Sequence, residues 1–459
     1  MIMARKVFIS FLGSSNYNTC VYYKNTFFSS NVRFIQEATL DYLQTLEQWT
    51  EGDVAYILLT EGAKSSNWVD DGHRDFQTKE IIKQAGLKTC LQQKNYPFAI
   101  QTIEGLPEGK NEEELFRLFR SIFEALEPED SLYFDITHGF RSLPMLALVL
   151  INYAKFLKNI DVKSITYGNY EVRESFESPD GTTCVKAPII DLLPLSGIQD
   201  WTFATADYLK NGNADRFSEL TRAYKKSLFK GDASGNKNEA MDLDSLAQSL
   251  KNVTDDFQTC RGLNILSLGN IAGLKKKLEQ FDRTVIEPLN PVIRKLEDSF
   301  SAFEEPSSSK VNWKNGMEAA KWCMNNHLFQ QAATILQECI VTFFCIKYDL
   351  DISSEKQRKL VNGAFAKCKK LHSSRTETEE REEIKAEIDN SEILQRLISD
   401  PQLSDRELYE AFSSLTDERN DINHSGMRTQ PHGADRIRKN IKNAYDVFES
   451  KLLLQEEQI

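Results

Sequence analysis

The sequence predicts two folds in series: an α/β Rossmann-like domain over residues 1–195 and an all-α domain over residues 196–459. Three observations predict it. Apolar runs of strand length alternate with segments of helical period in the first part. From Ile198 onward every apolar segment has helical spacing. Three early strand candidates end in small polar residues, as parallel strands do where a ligand binds beyond their carboxyl ends.

The elements follow in order. "RKVFISFLG" (Arg5 to Gly13) is β-branched and aromatic and ends in Gly-Ser-Ser-Asn, the mark of a first strand. Phe34 to Trp49 carries Phe34, Ala38, Leu40, Leu43 and Leu46 at helical spacing. "VAYILLTEG" (Val54 to Gly62) is a continuous apolar run, as expected of a strand covered on both faces. "PFAIQTIEG" is a further strand, and Asn111 to Leu126 a helix with Asn111 as N-cap and acids in its first turn. "SLYFDIT" is a strand. "SLPMLALVLINYAKFL" is a helix with Pro144 in its first turn. "VKSITYGNYEVRE" and "TTCVKAPIIDLL", joined by "SPDG", read as an edge hairpin.

In the second part, "HLFQQAATILQECIVTFFCIKY" places Leu328, Ala332, Ile335, Leu336, Cys339, Ile340, Phe343 and Phe344 on one helical face. Leu408, Phe412, Leu415 and Ile422 repeat the habit, and "ADRIRKNIKNAYDVFESKLL" is a closing helix. Residues 231–239, 304–310 and 373–383 are polar loops or frayed helix ends.

Bulk properties bound the function. The chain has 459 residues and a net charge of −12, which excludes a whole-surface nucleic-acid binder and leaves only a local basic patch. Eight scattered cysteines with no CxxC pair argue against a zinc ribbon or disulfide framework, and for a reducing, cytoplasmic setting. The amino terminus reads as a strand rather than a signal peptide, and no apolar run is expected to span a bilayer.

The stretch "DITHGFRS" (Asp135 to Ser142) carries chemistry. Thr137 and His138 fall on a strand-to-helix turn, Gly139 permits the tight turn, and Ser142 is placed to cap the next helix. That helix's first amides and Arg141 suit an anion such as a phosphate or nucleotide. GxGxxG and the Walker lysine are both missing from the chain. Asp135 and His138 supply two ligands at most, on diverging directions, so no metal site is expected.

A second constellation is "RNDINH": Arg419, Asn420 and, at the end of R-x4-H, His424. It closes an amphipathic helix ahead of the stop Ser425-Gly426. A basic segment follows, with Arg428, Arg436, Arg438, Lys439 and Lys442. A guanidinium fork and an imidazole, whose ordinary pKa is about 6.5, suit RNA cleavage, because RNA brings its own 2′-hydroxyl nucleophile. Asn420 is an orienting group. On one ideal helix, positions 419 and 424 diverge by about 140°. They converge only if the helix ends between them or if two motifs meet across a dimer.

"DITHGFRSLP", with "FLGSSNYN" and "YGNYE", resembles the DxTHG family of CRISPR-associated proteins with a CARF sensor domain; the likeness covers about residues 4 to 195. It implies a homodimer that binds a cyclic oligoadenylate, the messenger of type III CRISPR complexes. The implied contacts are Gly13, Ser14, Ser15, Asn16, Thr137, His138, Gly139, Phe140 and Arg141. "AKSSNW" (Ala63 to Trp68) is placed suitably beside them. The R-x4-H element resembles that of HEPN ribonucleases, an all-helical family found behind CARF domains. It implies a composite, metal-independent site for single-stranded RNA, leaving a 2′,3′-cyclic phosphate and a 5′-hydroxyl, with no cofactor beyond the cyclic oligoadenylate activator and no membrane partner. The competing reading is a messenger sensor with a non-catalytic helical interaction domain, and degradation of its own ligand is an activity open to that sensor.

Overall fold

The computed structural model describes residues 4–139, 142–178, 181–230, 237–281, 290–306, 310–374 and 376–453. The chain divides into two compact units, Met1–Gly197 and Ile198–Ile459.

The first unit is a nine-stranded mixed sheet. Its strands are β1 (Lys6–Phe11), β2 (Cys20–Lys24), β3 (Phe27–Val32), β4 (Val54–Thr60), β5 (Ala99–Leu106), β6 (Ser131–Asp135), β7 (Asp161–Gly168), β8 (Glu174–Glu177) and β9 (Thr183–Asp191). The order is β3-β2-β9-β7-β6-β1-β4-β5, with β8 paired to β9. The run β7-β6-β1-β4-β5 is parallel throughout. After β1 the chain builds β2 and β3 at one edge, comes back to place β4 and β5 on one side of β1, and then adds β6 and β7 on the other. The order therefore reverses between β1 and β6, and a doubly wound sheet opens its ligand crevice at that reversal.

β1 is buried along its whole length because both faces are covered. Phe8 and Leu12 join a core with the Ile35–Leu46 and Leu87–Gln93 helices. Val7, Ile9 and Phe11 join the opposite core, with the Glu112–Ala125 and Leu143–Lys158 helices. The Asn111 carboxamide caps its helix as expected, accepting from Glu114 N–H at 2.9 Å.

Two expectations need correction. The hairpin expected at an edge, residues 162–174 with 182–193, pairs antiparallel as expected, but its second strand is not an edge strand. β9 lies inside the sheet, antiparallel to β7 and parallel to β2. The edge is instead β2–β3, a hairpin turning at Asn25 with φ +52°, and it went unrecognised because its pairing to β9 joins residues more than 160 positions apart. Ser142 precedes the Leu143–Lys158 helix, but its side chain makes no capping hydrogen bond; its backbone is already in the right-handed helical region.

The second unit is helical, with no strand among its described residues. Residues 378–383, the second half of the 373–383 stretch read as a polar loop or frayed helix end, belong to the Thr378–Asp389 helix. The Phe329–Lys347 helix is central: Ala333, Gln337, Val341 and Cys345 are buried along with the predicted face. It is long and apolar enough by length and composition to cross a bilayer, contrary to expectation, and 67% of that window is buried within the protein. Its apolar girth thus has a place in the core of the helical unit. All eight cysteines are free thiols.

Candidate functional site

The carboxyl ends of β1 and β6 meet around Asp135, which is fully buried. Ser10 lies beside it in strand register. Ser10 donates to Oδ2 at 2.6 Å and the Thr137 hydroxyl to Oδ1 at 2.5 Å. The Gln36 amide, also buried, donates to Ser10 Oγ and to the Phe11 carbonyl. Gly168 N–H donates to the Thr137 hydroxyl at 2.8 Å. One chain of hydrogen bonds therefore joins the Ile35–Leu46 helix to β1, β6 and β7. Burial raises the Asp135 carboxyl to about 6, although both hydroxyls favour its ionised form. Asp135 and the Thr137 hydroxyl serve the scaffold of the turn.

Above this chain is a cleft of about 340 Å³. Of the nine residues implied as ligand contacts, Gly13, Ser14, Ser15, Thr137, His138 and Gly139 line it. Asn16 stands away from it and accepts a hydrogen bond from Gln84. Phe140 and Arg141 lie outside the described residues, so the fixed charge expected at Arg141 has no structural account. Gly139 has φ +133°, and a Cβ there would lie 2.5 Å from Leu143 Cδ2, so the turn requires glycine.

Tyr17, Thr60 and Glu108 also line the cleft and were not foreseen. Tyr17 stacks on His138, with centroids 4.3 Å apart and planes 22° from parallel. Burial lowers the His138 imidazole to about 4, so at neutral pH it offers the cleft a neutral ring rather than a charge. "AKSSNW" acts from beneath. Asn67, wholly buried, donates to the carbonyls of Gly13 and Ser15 at 2.9 and 2.8 Å and so holds the first loop in shape. A small, polar-rimmed cleft with a stacked aromatic pair and closely approached backbone suits a nucleotide's base and phosphodiester.

The family described as "CRISPR system endoribonuclease Csx1, CARF domain" matches residues 7–171, the span that builds this cleft. The first unit is thus similar to the CARF domain of CRISPR-associated proteins. CRISPR-associated protein MJ1674 of Methanocaldococcus jannaschii is 26% identical over 274 residues, 57% of this chain and 38% of that protein. The chain thus spans well under half the length of that curated relative. Ligand sensing belongs to the CARF unit.

In the helical unit, the Arg406–Asn423 helix continues past Arg419 and Asn420 and ends at Asn423, one residue before His424, whose N–H still bonds to the Asn420 carbonyl at 3.0 Å. His424 is the C-cap, exposed, followed by Ser425 at φ +55° and Gly426 at φ +67°. Asn420 is exposed. Arg419 leans back on the Phe329–Lys347 helix, donating to Gln337 Oε1 at 3.3 Å and lying 3.9 Å from Glu338. No hydrogen bond joins Arg419 to His424 among the described residues. The backbone bond from His424 to Asn420 keeps helical geometry up to His424, for which an ideal helix sets the two positions about 140° apart.

The support beneath this motif was not among the expectations. Glu418 and Asp421 are buried. Glu418 accepts from His432 Nδ1 at 2.7 Å and from Asn440 at 2.6 Å, and Asp421 accepts from His432 N–H at 3.1 Å. Arg428, counted with the free basic residues, is committed to Asp417 at 3.0 Å and Asp421 at 3.6 Å. Acids at 418 and 421 on the apolar side of an amphipathic helix were the available signal, since buried carboxylates need partners.

Two outcomes test the cleft. Because the Asp135 carboxyl is raised, its protonation favours the folded state at low pH, and that contribution is lost as pH rises through about 6. The stability of wild type relative to Asp135→Asn should therefore grow by about 1 kcal/mol from pH 8 to pH 5, read by denaturant melts; a pH-independent difference would mean the carboxyl stays ionised. A Cβ at Gly13 would lie 2.0 Å from Tyr17 Oη and 3.3 Å from Tyr17 Cζ. Gly13→Ala should push Tyr17 off His138 and weaken ligand binding, and adding Tyr17→Phe should restore part of the loss in calorimetry.

Proposed function

We propose that this chain is a cyclic-oligoadenylate-activated, metal-independent endoribonuclease that cuts single-stranded RNA as a homodimer in type III CRISPR defence. The observation that carries the reading is an R-x4-H element at the end of an amphipathic helix, in an all-helical unit that follows a CARF domain.

The chemistry runs through few groups. The substrate's 2′-hydroxyl attacks the adjacent phosphorus in line, and the 5′-oxygen leaves. Arg419 holds the phosphate and meets the charge that develops on it. His424 exchanges protons with the entering or leaving oxygen, and Asn420 orients the sugar-phosphate. The products are a 2′,3′-cyclic phosphate and a 5′-hydroxyl. Within one chain no hydrogen bond joins Arg419 to His424 among the described residues, which supports a working site that takes groups from both protomers.

The dimer is supported by the Leu143–Lys158 helix. Opposite its buried side it exposes Met145, Val149, Tyr153 and Phe156, with Met145 74% and Phe156 84% exposed. A soluble chain rarely leaves such a stripe uncovered. The helix starts beside the cleft turn, so a second copy packed on this face brings two clefts together. The messenger then activates by binding better to the dimer arrangement in which the R-x4-H motifs meet.

A second reading keeps the sensor and makes the helical unit a non-catalytic interaction domain. Its support is the hold of Gln337 and Glu338 on Arg419.

A fluorescent single-stranded RNA, a panel of cyclic oligoadenylates and excess EDTA separate the two readings. One ring should switch on cleavage in EDTA. His424→Ala and Arg419→Ala should each lose cleavage by ~100-fold or more while still binding the ring. Activity lost in EDTA and restored by a divalent ion would sink the mechanism; silence with every ring favours the second reading. Composite sites make a further demand. When wild type is mixed with excess His424→Ala and the subunits exchange, activity should fall as the square of the wild-type fraction, and a linear fall would mean that each protomer owns a complete site.

A further inference from the structure

We infer that the groove between the Ala434–Phe448 helix and the Lys314–Asn325 helix is the track along which single-stranded RNA approaches the R-x4-H motif; this rests on the ribonuclease reading above. The groove encloses about 550 Å³, and its lining includes Lys321, Met324, Phe329, Arg438, Lys439 and Lys442.

The placement follows from helical spacing. Positions 438, 439 and 442 share one face of the Ala434–Phe448 helix, while Ile441, Ala444, Tyr445 and Phe448 bury the other. The cations on that face are little used by the protein itself. Many other cations of the helical unit are paired: Arg428 with Asp417, Lys347 with Asp400, Arg358 with Glu338 and Lys451 with Asp405. Lys439 and Lys442 have no ion pair among the described residues. The ion pair of Arg438 among the described residues is with Asp435 of its own helix, at 3.2 Å with both side chains exposed. In a chain of net charge −12, a cluster of unspent cations needs an anionic occupant.

Two further features favour nucleic acid. The Arg438 guanidinium lies 5.6 Å from the centre of the Phe329 ring, a pair of flat groups suited to an unstacked base. The groove also has direction. Its far end carries Asp446 and Glu449, with Glu449 3.9 Å from Lys321, so the cationic stretch lies toward the start of the helix. There Gln330, next to Phe329, donates to Asn423 Oδ1 at 3.3 Å, one residue before His424. A strand whose phosphates sit on Lys439 and Lys442 therefore runs toward the exposed imidazole.

The test uses the full chain carrying His424→Ala, so that RNA is bound and not cut, with a fluorescent single-stranded oligonucleotide and anisotropy over a salt series. Adding Lys439→Gln and Lys442→Gln should weaken binding about tenfold or more and lower the salt slope by about 1.4, as for two lost phosphate contacts on a single strand. Ring binding should be unchanged. In the cutting chain, the same pair should raise KM with kcat nearly constant. Unchanged RNA affinity and slope would overturn the groove and leave the ribonuclease reading standing. RNA held by the groove in a chain that never cuts would overturn the ribonuclease reading and leave the groove. No RNA binding, or equal competition by an acidic polypeptide, would overturn the groove as an RNA track.

Discussion

Asp135 is enclosed at the carboxyl end of β6, and the cleft's shape depends on how its charge is met. Ser10 and Thr137 each spend their one hydroxyl proton on it, and Gln36 and Gly168 then bond to those hydroxyls. A buried carboxylate without such donors would cost several kcal/mol. Once satisfied, it locks β1, β6, β7 and the Ile35–Leu46 helix in one arrangement at the reversal of strand order. The turn that follows is then pinned from below, so His138 and Gly139 face the cleft while Thr137 faces inward. The motif thus divides its labour by direction: Asp and Thr hold, His and Gly present.

The helical unit repeats this economy. Alternate sides of the Arg406–Asn423 helix carry different duties. Glu418 and Asp421 point into the protein and bind His432, Asn440 and Arg428. These contacts fasten the segment after the helix and hold its end, where His424 is exposed. Arg419 instead answers to Gln337 and Glu338 of the central helix. The two candidate catalytic groups have separate supports.

Polar groups that resemble one another in composition end in opposite roles. Asn67 and Asn16 both lie near the first loop, yet Asn67 clamps its carbonyls and Asn16 bonds outward to Gln84. Arg428 and Lys442 both belong to the basic segment, yet Arg428 pairs with Asp417 and the buried Asp421 while Lys442 has no ion pair among the described residues. The difference in each pair is the neighbour supplied by another part of the chain.

Local physics made much of the fold legible. Strand-length apolar runs, the Asn111 cap, the glycine at 139 and the helical face from Ala332 to Phe344 depend on residues a few positions apart, where spacing alone sets geometry. The first loop and the DxTHG turn were found because strand ends in a parallel sheet gather at one edge. What spacing does not encode is which distant surface each side chain meets. The β2–β3 edge, the burial of Asn67, the stack of Tyr17 on His138, the entry of Glu108 into the cleft and the pairing of Arg428 all depend on elements brought together by long-range packing. Serine, threonine, asparagine, histidine and arginine can each brace a scaffold or face a ligand. Burial and the nearest opposite partner decide between those roles, and both exist only once the chain has folded.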